Sequence, residues 1–251
     1  MIIDFPKPGH SALLRSLWKQ AFGDTDGFLE DFFSTAYSSQ RCFCAIEAAA
    51  LAGALYWFDC QWEDKRLAYL YAVATDKSFR GQGVCRALMA HTHAHLKQQG
   101  YDGCVLVPGS PELFAMYGKM GYTTCSYIRQ FPCHKEEAIP LRQLTAGQYA
   151  DLRRKYLPKG GVIQQGQTLA FLQTQASFYE AENALLACAP NEDQLTILEL
   201  LGDPGVAGGV LGALGYDRGT VRTPGTETPF AMYHPLTDHA GAPQYFGLAL
   251  D

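Results

Sequence analysis

The sequence has little positive charge and no long apolar run. Its 20 Lys and Arg residues are outnumbered by 25 Asp and Glu residues, and the net charge is −5. Since binding to a nucleic-acid backbone needs clustered Lys and Arg, this balance argues against nucleic acid as the main partner, although it leaves room for one local anion site. The best apolar stretch, residues 45–58, is interrupted by Glu47 and is shorter than the ~20 residues of a membrane helix. Residues 1–20 have no continuous apolar core either, so we expect no membrane span and no secretory signal.

Paired-cysteine motifs are also missing. The eight cysteines are scattered, and no Cys-x-x-Cys pair occurs. This pattern favours reduced thiols in a cytoplasmic protein, with disulfides or a metal site as the alternative. His91 and His95 are one helical turn apart in the segment HTHAH and could bind a metal in principle, but no third ligand is evident. We expect these histidines to be solvated and the protein to hold no metal.

What the sequence does contain is a succession of helix and strand patterns over 251 residues, enough for one large domain or two small ones. Apolar spacing typical of helices covers residues 11–22, 25–37, 84–99, 110–119, 145–156 and 167–176. Strand patterns cover residues 1–5, 41–47, 51–60, 67–75, 104–107, 122–133, 184–189 and 195–201. The prediction is an α+β fold with α/β three-layer character, in which helices flank a mixed central sheet.

A phosphate-binding pattern lies at the centre of this succession. The apolar strand 67–75 leads through a short polar connection into Arg80-Gly81-Gln82-Gly83-Val84-Cys85, which opens a helix. Backbone N–H groups at a helix start have no partner within the helix and lie at the positive end of its dipole. Glycines let such a backbone approach an anion closely. Taken alone, the pattern predicts a phosphate-binding turn or a plain connection from strand to helix.

Part of the sequence is repeated, which points to two copies of one unit. Val-Pro-Gly-Ser and Phe-Ala-Met-Tyr, at residues 107–110 and 114–117, recur as Thr-Pro-Gly-Thr and Phe-Ala-Met-Tyr at residues 223–226 and 230–233. Shorter matches precede them in the same order: Gly100-Tyr101-Asp102 with Gly215-Tyr216-Asp217, and Gly83-Val84 with Gly209-Val210.

The two copies differ at the phosphate-binding pattern. The second has Ala207-Gly208-Gly209 where the first has Arg80-Gly81-Gln82-Gly83. We therefore predict a catalytic domain at residues 1–134 and a degenerate copy at residues 135–251, joined by a linker at residues 135–141.

Two motifs in the first unit carry a family resemblance. Val73-Ala74-Thr75, four further residues and then Arg80-Gly81-Gln82-Gly83-Val84 resemble the acyl-CoA binding motif of the GNAT superfamily of N-acyltransferases. Cys85 stands where Gly or Ala is usual in that motif. Residues 110–122 resemble the second motif of the family: Tyr117, Gly121 and Tyr122 match, Ser110 replaces Asn and Leu113 replaces Ala. The resemblance covers about residues 1–133.

This resemblance implies an N-acetyltransferase that moves an acetyl group from acetyl-CoA to a primary amine of a small molecule or peptide. It implies that the pantetheine arm is bound by main-chain groups of Val73, Ala74 and Thr75, with Ser110 nearby. The pyrophosphate would be held by Arg80, Gly81, Gln82, Gly83, Val84 and Cys85. Tyr117 would be the general acid for the leaving thiolate, because a phenol with an ordinary pKa of ~10 is protonated at neutral pH.

Several points stay open at this stage. Asp59, Glu63 and Asp76 are candidate general bases or else plain turn carboxylates, and the carboxyl terminus at Asp251 is a further candidate. Five strand aromatics either line an acceptor pocket or pack within the sheet: Tyr56, Trp57, Phe58, Tyr69 and Tyr71. A non-catalytic acyl-CoA sensor and a structural scaffold are the alternative functions. The sequence does not specify the acceptor or the oligomeric state.

Overall fold

A computed structural model describes residues 1–250; Asp251 lies outside the described residues. Thirteen strands occur within them: β1 (Ile2–Asp4), β2 (Cys42–Glu47), β3 (Ala50–Trp62), β4 (Lys65–Thr75), β5 (Gly103–Leu106), β6 (Thr123–His134), β7 (Arg142–Leu144), β8 (Ile163–Gln164), β9 (Ser177–Ala181), β10 (Ala184–Asn191), β11 (Gln194–Gly202), β12 (Arg218–Pro224) and β13 (Thr228–Pro235). The helices are α1 (Ser11–Phe22), α2 (Asp26–Thr35), α3 (Val84–Gln98), α4 (Pro111–Gly118), α5 (Ala146–Tyr156), α6 (Gln167–Gln175) and α7 (Ala207–Leu214).

The strands form one mixed sheet in which the order of the first half is nearly mirrored by that of the second half. The full order is β1-β2-β3-β4-β5-β13-β6-β12-β11-β10-β9-β7, with β8 paired to β3. Strands β4 and β5 are parallel, and so are their counterparts β11 and β12. In the middle, β13 lies between β5 and β6, so the last strand of each half pairs with the other half. The repetition is thus visible in the fold, and the two halves share one continuous sheet.

The helices cover both faces of this sheet. On one face α1, α2, α5 and α6 pack over a single apolar core that extends across both halves, with Trp18, Phe32 and Tyr149 among its largest side chains. On the other face α3 and α4 cover the first half and α7 covers the second, each over its own cluster. Helices on both faces of a mixed sheet make three layers, and the predicted fold class is confirmed.

Local signals in the sequence fixed several element ends. Helix α1 begins and ends where the apolar spacing predicts it, and Gly23 closes it in the left-handed conformation. Thr25 caps α2 by accepting a hydrogen bond from the Phe28 amide. Thr145 and Gln148 form a capping box at the start of α5.

The repeated tetrapeptide does not mark equivalent positions. Phe114-Ala115-Met116-Tyr117 is helical in α4, whereas Phe230-Ala231-Met232-Tyr233 is extended in β13. The sheet order pairs β13 with β6, which follows α4 in the first half. This part of the predicted alignment is therefore wrong: residues 230–233 are placed between β5 and β6, and sheet pairing outweighs local propensity there.

The connection between strand and helix is where the halves correspond most closely. The Asp76 amide donates to the Ala52 carbonyl (2.9 Å), and the Asp203 amide donates to the Asn183 carbonyl (3.0 Å). Each aspartate then caps a single helical turn. In the first half, four further residues precede α3, whereas in the second half α7 follows at once at Ala207. The glycine-bearing turn is thus missing from the second half.

The end of the described chain is held along the sheet by buried hydrogen bonds. Ser126 Oγ accepts from the Phe246 amide (2.9 Å), and the Gln164 side chain donates to the Leu248 carbonyl (2.7 Å). Tyr245 donates to Glu199 (2.9 Å), whose carboxylate also forms a buried pair with Arg153. These contacts lead the chain from the second half to the side of β4, where Leu250 ends the described segment.

Candidate active site

Strands β4 and β5 separate along their length, and the cleft begins at this separation. They pair only from Leu67 to Tyr69, while β4 continues to Thr75. A bulge in β4 places Ala72 and the residue after it opposite a single residue of β3. Ala72 has φ of 48°, an unfavourable conformation for a residue with a Cβ atom. The bulge and the missing partner strand leave one edge of β4 open to a ligand.

The cleft beside this edge has two connected parts. One part, of about 500 Å³, lies near Trp18, Tyr71 and Leu250; we call it the acceptor end. The other, of about 510 Å³, lies at the start of α3; we call it the loop end. Five residues line both parts: Ala21, Phe22, Val73, Leu113 and Tyr117.

An exposed main-chain turn, residues 80–83, borders the loop end of the cleft. Asp76 caps the start of the single helical turn after β4 by accepting a hydrogen bond from the Ser78 amide (2.8 Å). Gly81 and Gly83 have φ of 75° and 83°, and a Cβ atom on either would meet open space. Gly83 is the N-cap of α3, so the amides that follow it have no partners within the helix. An anion can therefore approach this turn closely.

The residues predicted for the cofactor and for catalysis line this cleft, apart from Gln82. Arg80 reaches back and donates to the Thr75 carbonyl (3.3 Å). The Gln82 side chain donates to the Ser78 carbonyl (2.9 Å) and does not line the cleft. Ser110, the N-cap of α4, lines the acceptor end. The loop end is lined by Val73, Ala74, Thr75, Arg80, Gly81, Gly83, Val84 and Cys85, among others.

Tyr117 lies where the two parts of the cleft meet. It belongs to the last turn of α4 and is 6% exposed. Burial, and to a lesser degree the nearby Cys85 thiol, raise the pKa of Tyr117 well above its ordinary value of 10.0. The phenol therefore keeps its proton throughout the neutral range and can donate it.

Of the four predicted base candidates, Asp251 lies outside the described residues and none of the other three lines the cleft. Asp59 is paired with Arg41 and Arg66 on another part of the surface. Glu63 lies in the exposed turn after β3. Asp76 is occupied as a cap, and the Ser78 amide and the Gln20 side chain lower its pKa. The turn-carboxylate alternative therefore describes Glu63 and Asp76, whereas Asp59 lies within β3.

Among residues 1–250, the carboxylate that lines the cleft is Asp24, which was not predicted from the sequence. It follows Gly23 in the connection between α1 and α2, and its Oδ2 accepts a hydrogen bond from the Trp18 indole (2.7 Å). The sequence around Gly23 and Asp24 predicts only the end of a helix. Nothing local indicates that α1 packs against β4 and so brings Asp24 to the cleft.

The strand aromatics divide between the alternatives raised by the sequence. Tyr69 and Tyr71 line the acceptor end. Tyr56 and Phe58 are buried in the core beneath α1 and α2. Trp57 is on the opposite face, with its ring 6.1 Å from that of His95. The described chain end completes the wall, because the Tyr71 hydroxyl donates to the Leu250 carbonyl (2.7 Å).

Two histidines of the HTHAH segment, His93 and His95, are less exposed than predicted, and the His95 ring lies 5.1 Å from that of Phe43. His93 is half-buried, its Nε2 is 2.7 Å from the Tyr122 hydroxyl, and its ring stacks on His234 at 4.4 Å. Burial and the neighbouring His234 lower the pKa of His93 from 6.5 to about 4. His91, by contrast, is exposed as expected.

Residues 1–250 contain no group of three or more His, Cys, Asp or Glu side chains arranged to hold a metal ion. The eight cysteines are free thiols. No helix in the described part of the chain combines the length and apolar character needed to cross a membrane.

A family model matches the first half of the chain, where most of the cleft lies. The family model described as acetyltransferase (GNAT) domain matches residues 8–125, a range that contains β4, the glycine-bearing turn and Tyr117. Residues 8–125 form a GNAT acetyltransferase domain. Among proteins with curated functions, none matches this sequence significantly.

Solved GNAT-related structures resemble the whole chain. A GCN5-related N-acetyltransferase from Anabaena variabilis has 14% identity and a TM-score of 0.71, covering 94% of this chain and 73% of that one. One from Kribbella flavida has 15% identity and a TM-score of 0.69, covering 92% and 70%. A putative acetyltransferase from Pyrococcus horikoshii has 14% identity and a TM-score of 0.66, covering 98% and 93%. At these identities the similarity shows a common fold, and it extends beyond the GNAT domain into the second half.

Proposed function

We propose that this protein transfers an acetyl group from acetyl-CoA to a primary amine of a small molecule or peptide. The observation that carries the proposal is the continuous cleft along the open edge of β4. It runs from the exposed turn before α3, past Tyr117, to the acceptor end. Membership of the GNAT acetyltransferase family supports acyl transfer as the reaction.

The residues at the loop end fit a pyrophosphate. The absence of Cβ atoms at Gly81 and Gly83 leaves room for a phosphate against the main chain. The start of α3 offers unpaired amides, and Arg80 and Arg86 supply positive charge. Cys85 lines the groove but leaves it open, so this departure from the family pattern is compatible with binding.

Acetyl-CoA supplies an activated acetyl group, and this chain's residues would orient it. The edge of β4 from Val73 to Thr75 would bind the pantetheine arm through its main chain. In this position the thioester would lie near Tyr117. The amine, after releasing one proton to water, would form the new C–N bond as the C–S bond breaks. Tyr117 would protonate the departing sulfur and take up the proton that the amine nitrogen then loses. The phenol carries the proton that this role needs, because a tyrosine with its ordinary pKa of 10.0 is already protonated at neutral pH and burial raises that pKa further.

The second half would act as a support and not as a second active site. Its helix α7 lacks the preceding turn, and the predicted linker covers its glycine face instead: the Glu136 amide donates to the Gly208 carbonyl (3.0 Å). A Cβ atom on Gly208 or Gly212 would collide with the Glu136 side chain or carbonyl. This covering occupies the face of α7 that a cofactor would need, which favours a supporting role for the second half.

The proposal is tested by incubating the protein with acetyl-CoA and a panel of amines, with free CoA thiol as the readout. Amine-dependent thiol release is the expected result. Tyr117→Phe is expected to slow this release strongly while acetyl-CoA binding, measured by calorimetry, persists. Binding without any amine-dependent release would favour the non-catalytic sensor, and the absence of binding would contradict both functions.

A further inference from the structure

The two ends of the cleft carry opposite charges. Arg80 and Arg86 line the loop end, and no carboxylate is among its described lining residues. At the acceptor end the arrangement is reversed: within residues 1–250, the one charged side chain that lines it is Asp24. Among the described side chains, this end therefore offers no basic partner for an anionic group and one acidic partner for a cation.

Asp24 is held in place and keeps one oxygen available. Its Oδ2 accepts a hydrogen bond from Trp18 Nε1 (2.7 Å), and no other donor reaches its carboxylate from the described residues. Trp18 is itself 2% exposed, so the indole is a fixed anchor. Lys19, on the same helix, is paired with Asp26 instead. The remaining oxygen of Asp24 is thus free to meet a ligand.

Aromatic rings line the same end of the cleft as this carboxylate, and one of them, Trp18, contacts it. The ring centroid of Trp18 is 5.6 Å from that of Tyr71 and 6.3 Å from that of Phe28, and all three residues line the acceptor end. Aromatic faces attract ammonium groups and also cover the carbon skeleton that carries them. A carboxylate among aromatic rings suits an organic cation.

We propose that the acceptor is a cationic amine without a carboxylate, and that Asp24 binds its positive charge among Trp18, Phe28 and Tyr71. The inference rests on the proposed function and narrows the acceptor. An amino acid or other acceptor with a carboxylate beside its amine would bring like charge towards Asp24 and find no basic side chain to offset it. A simple amine of the same skeleton meets only the favourable charge.

Matched pairs of acceptors test this directly. Phenethylamine and phenylalanine, tryptamine and tryptophan, and cadaverine and lysine differ only by a carboxylate. Free CoA thiol release gives kcat/KM for each, and calorimetry on the protein saturated with CoA gives binding where turnover is too slow to measure. In each pair that binds, the carboxylate-free member is expected to have a kcat/KM or an affinity about tenfold or more higher. A factor of this size corresponds to the loss of one charge-assisted contact.

Variants separate the role of Asp24 from general effects on the fold. Asp24→Asn keeps an acceptor for the Trp18 indole but loses the charge, so it should raise KM for the amines and reduce the preference within each pair, while the affinity for acetyl-CoA is unchanged. Asp24→Glu should restore part of the preference. Glu30→Gln, on the exposed side of α2 and outside the cleft, is the control and should change neither quantity.

The outcomes distinguish this inference from the function on which it rests. Equal or better use of the carboxylate-bearing members, an unchanged preference in Asp24→Asn, or a failure of every pair to bind overturns the role given to Asp24, even if another amine is acetylated. Failure to bind acetyl-CoA overturns the proposed function as well.

Discussion

A pair of glycine substitutions at the two ends of α3 tests the loop end against a matched control. Gly83 precedes the helix and Gly100 follows it, with φ of 83° and 78°. A Cβ atom on either meets nothing within 4 Å, so neither change causes a collision. Glu at a left-handed position costs about 1–2 kcal/mol. For a chain of this size, 1 kcal/mol corresponds to about 2–4 °C in Tm, so each variant should lose roughly 2–8 °C.

The two variants should differ in their response to acetyl-CoA. A ligand at 100 times its Kd stabilises a protein by about 2.7 kcal/mol, which corresponds to about 5–11 °C here. Gly100→Glu lies at the far end of the helix and should keep this shift. Gly83→Glu places a side chain and a negative charge where the pyrophosphate would approach, and should lose it.

Differential scanning fluorimetry with and without acetyl-CoA measures both effects, and calorimetry gives Kd for each variant. A full ligand-induced shift in Gly83→Glu would refute the assignment of the turn to the pyrophosphate. If both variants lost the acetyl-CoA-induced shift in Tm equally, the cause would be general damage to α3. That result would also remove the support for a pyrophosphate site at Gly83.

Two further predictions concern stability. Glu199→Gln keeps the shape of the side chain but leaves the Arg153 charge buried without its partner, so urea denaturation should show a loss of about 3–5 kcal/mol; a loss below 1 kcal/mol would contradict the buried pair. His93 is neutral in the folded protein down to about pH 4, whereas its unfolded counterpart takes up a proton near pH 6.5, so the stability it contributes is present above pH 6.5 and is lost as the pH falls towards 4. The loss should reach about 2 kcal/mol at pH 5, and His93→Gln should reduce this pH dependence; identical profiles would refute the assignment.

The parts of the site that are contiguous in sequence were predictable. The turn from Arg80 to Cys85 and the helix of Tyr117 each lie within one short segment, where spacing and capping signals act locally. Asp24 and Leu250 could not be found in this way. Their presence at the cleft depends on the packing of α1 against β4 and on hydrogen bonds that hold the chain end, contacts that no local pattern records.

The internal repeat also shows that a local sequence match does not by itself predict structure. Gly100 and Gly215 do occupy equivalent positions, since each ends a helix in the left-handed conformation. The longer match, between residues 114–117 and 230–233, does not mark equivalent positions, because residues 230–233 belong to β13, which pairs with β5 and β6. A strand that pairs across both halves is fixed by long-range contacts, so four identical residues adopt two different structures.

The central claim is that one cleft both binds acetyl-CoA and transfers its acetyl group past Tyr117. The most direct measurement is single-turnover release of CoA thiol with a cationic amine, for the unmutated protein and for Tyr117→Phe, with acetyl-CoA saturating in both. The account predicts a much slower release in the variant at an unchanged Kd for acetyl-CoA. An unchanged rate of release would contradict it.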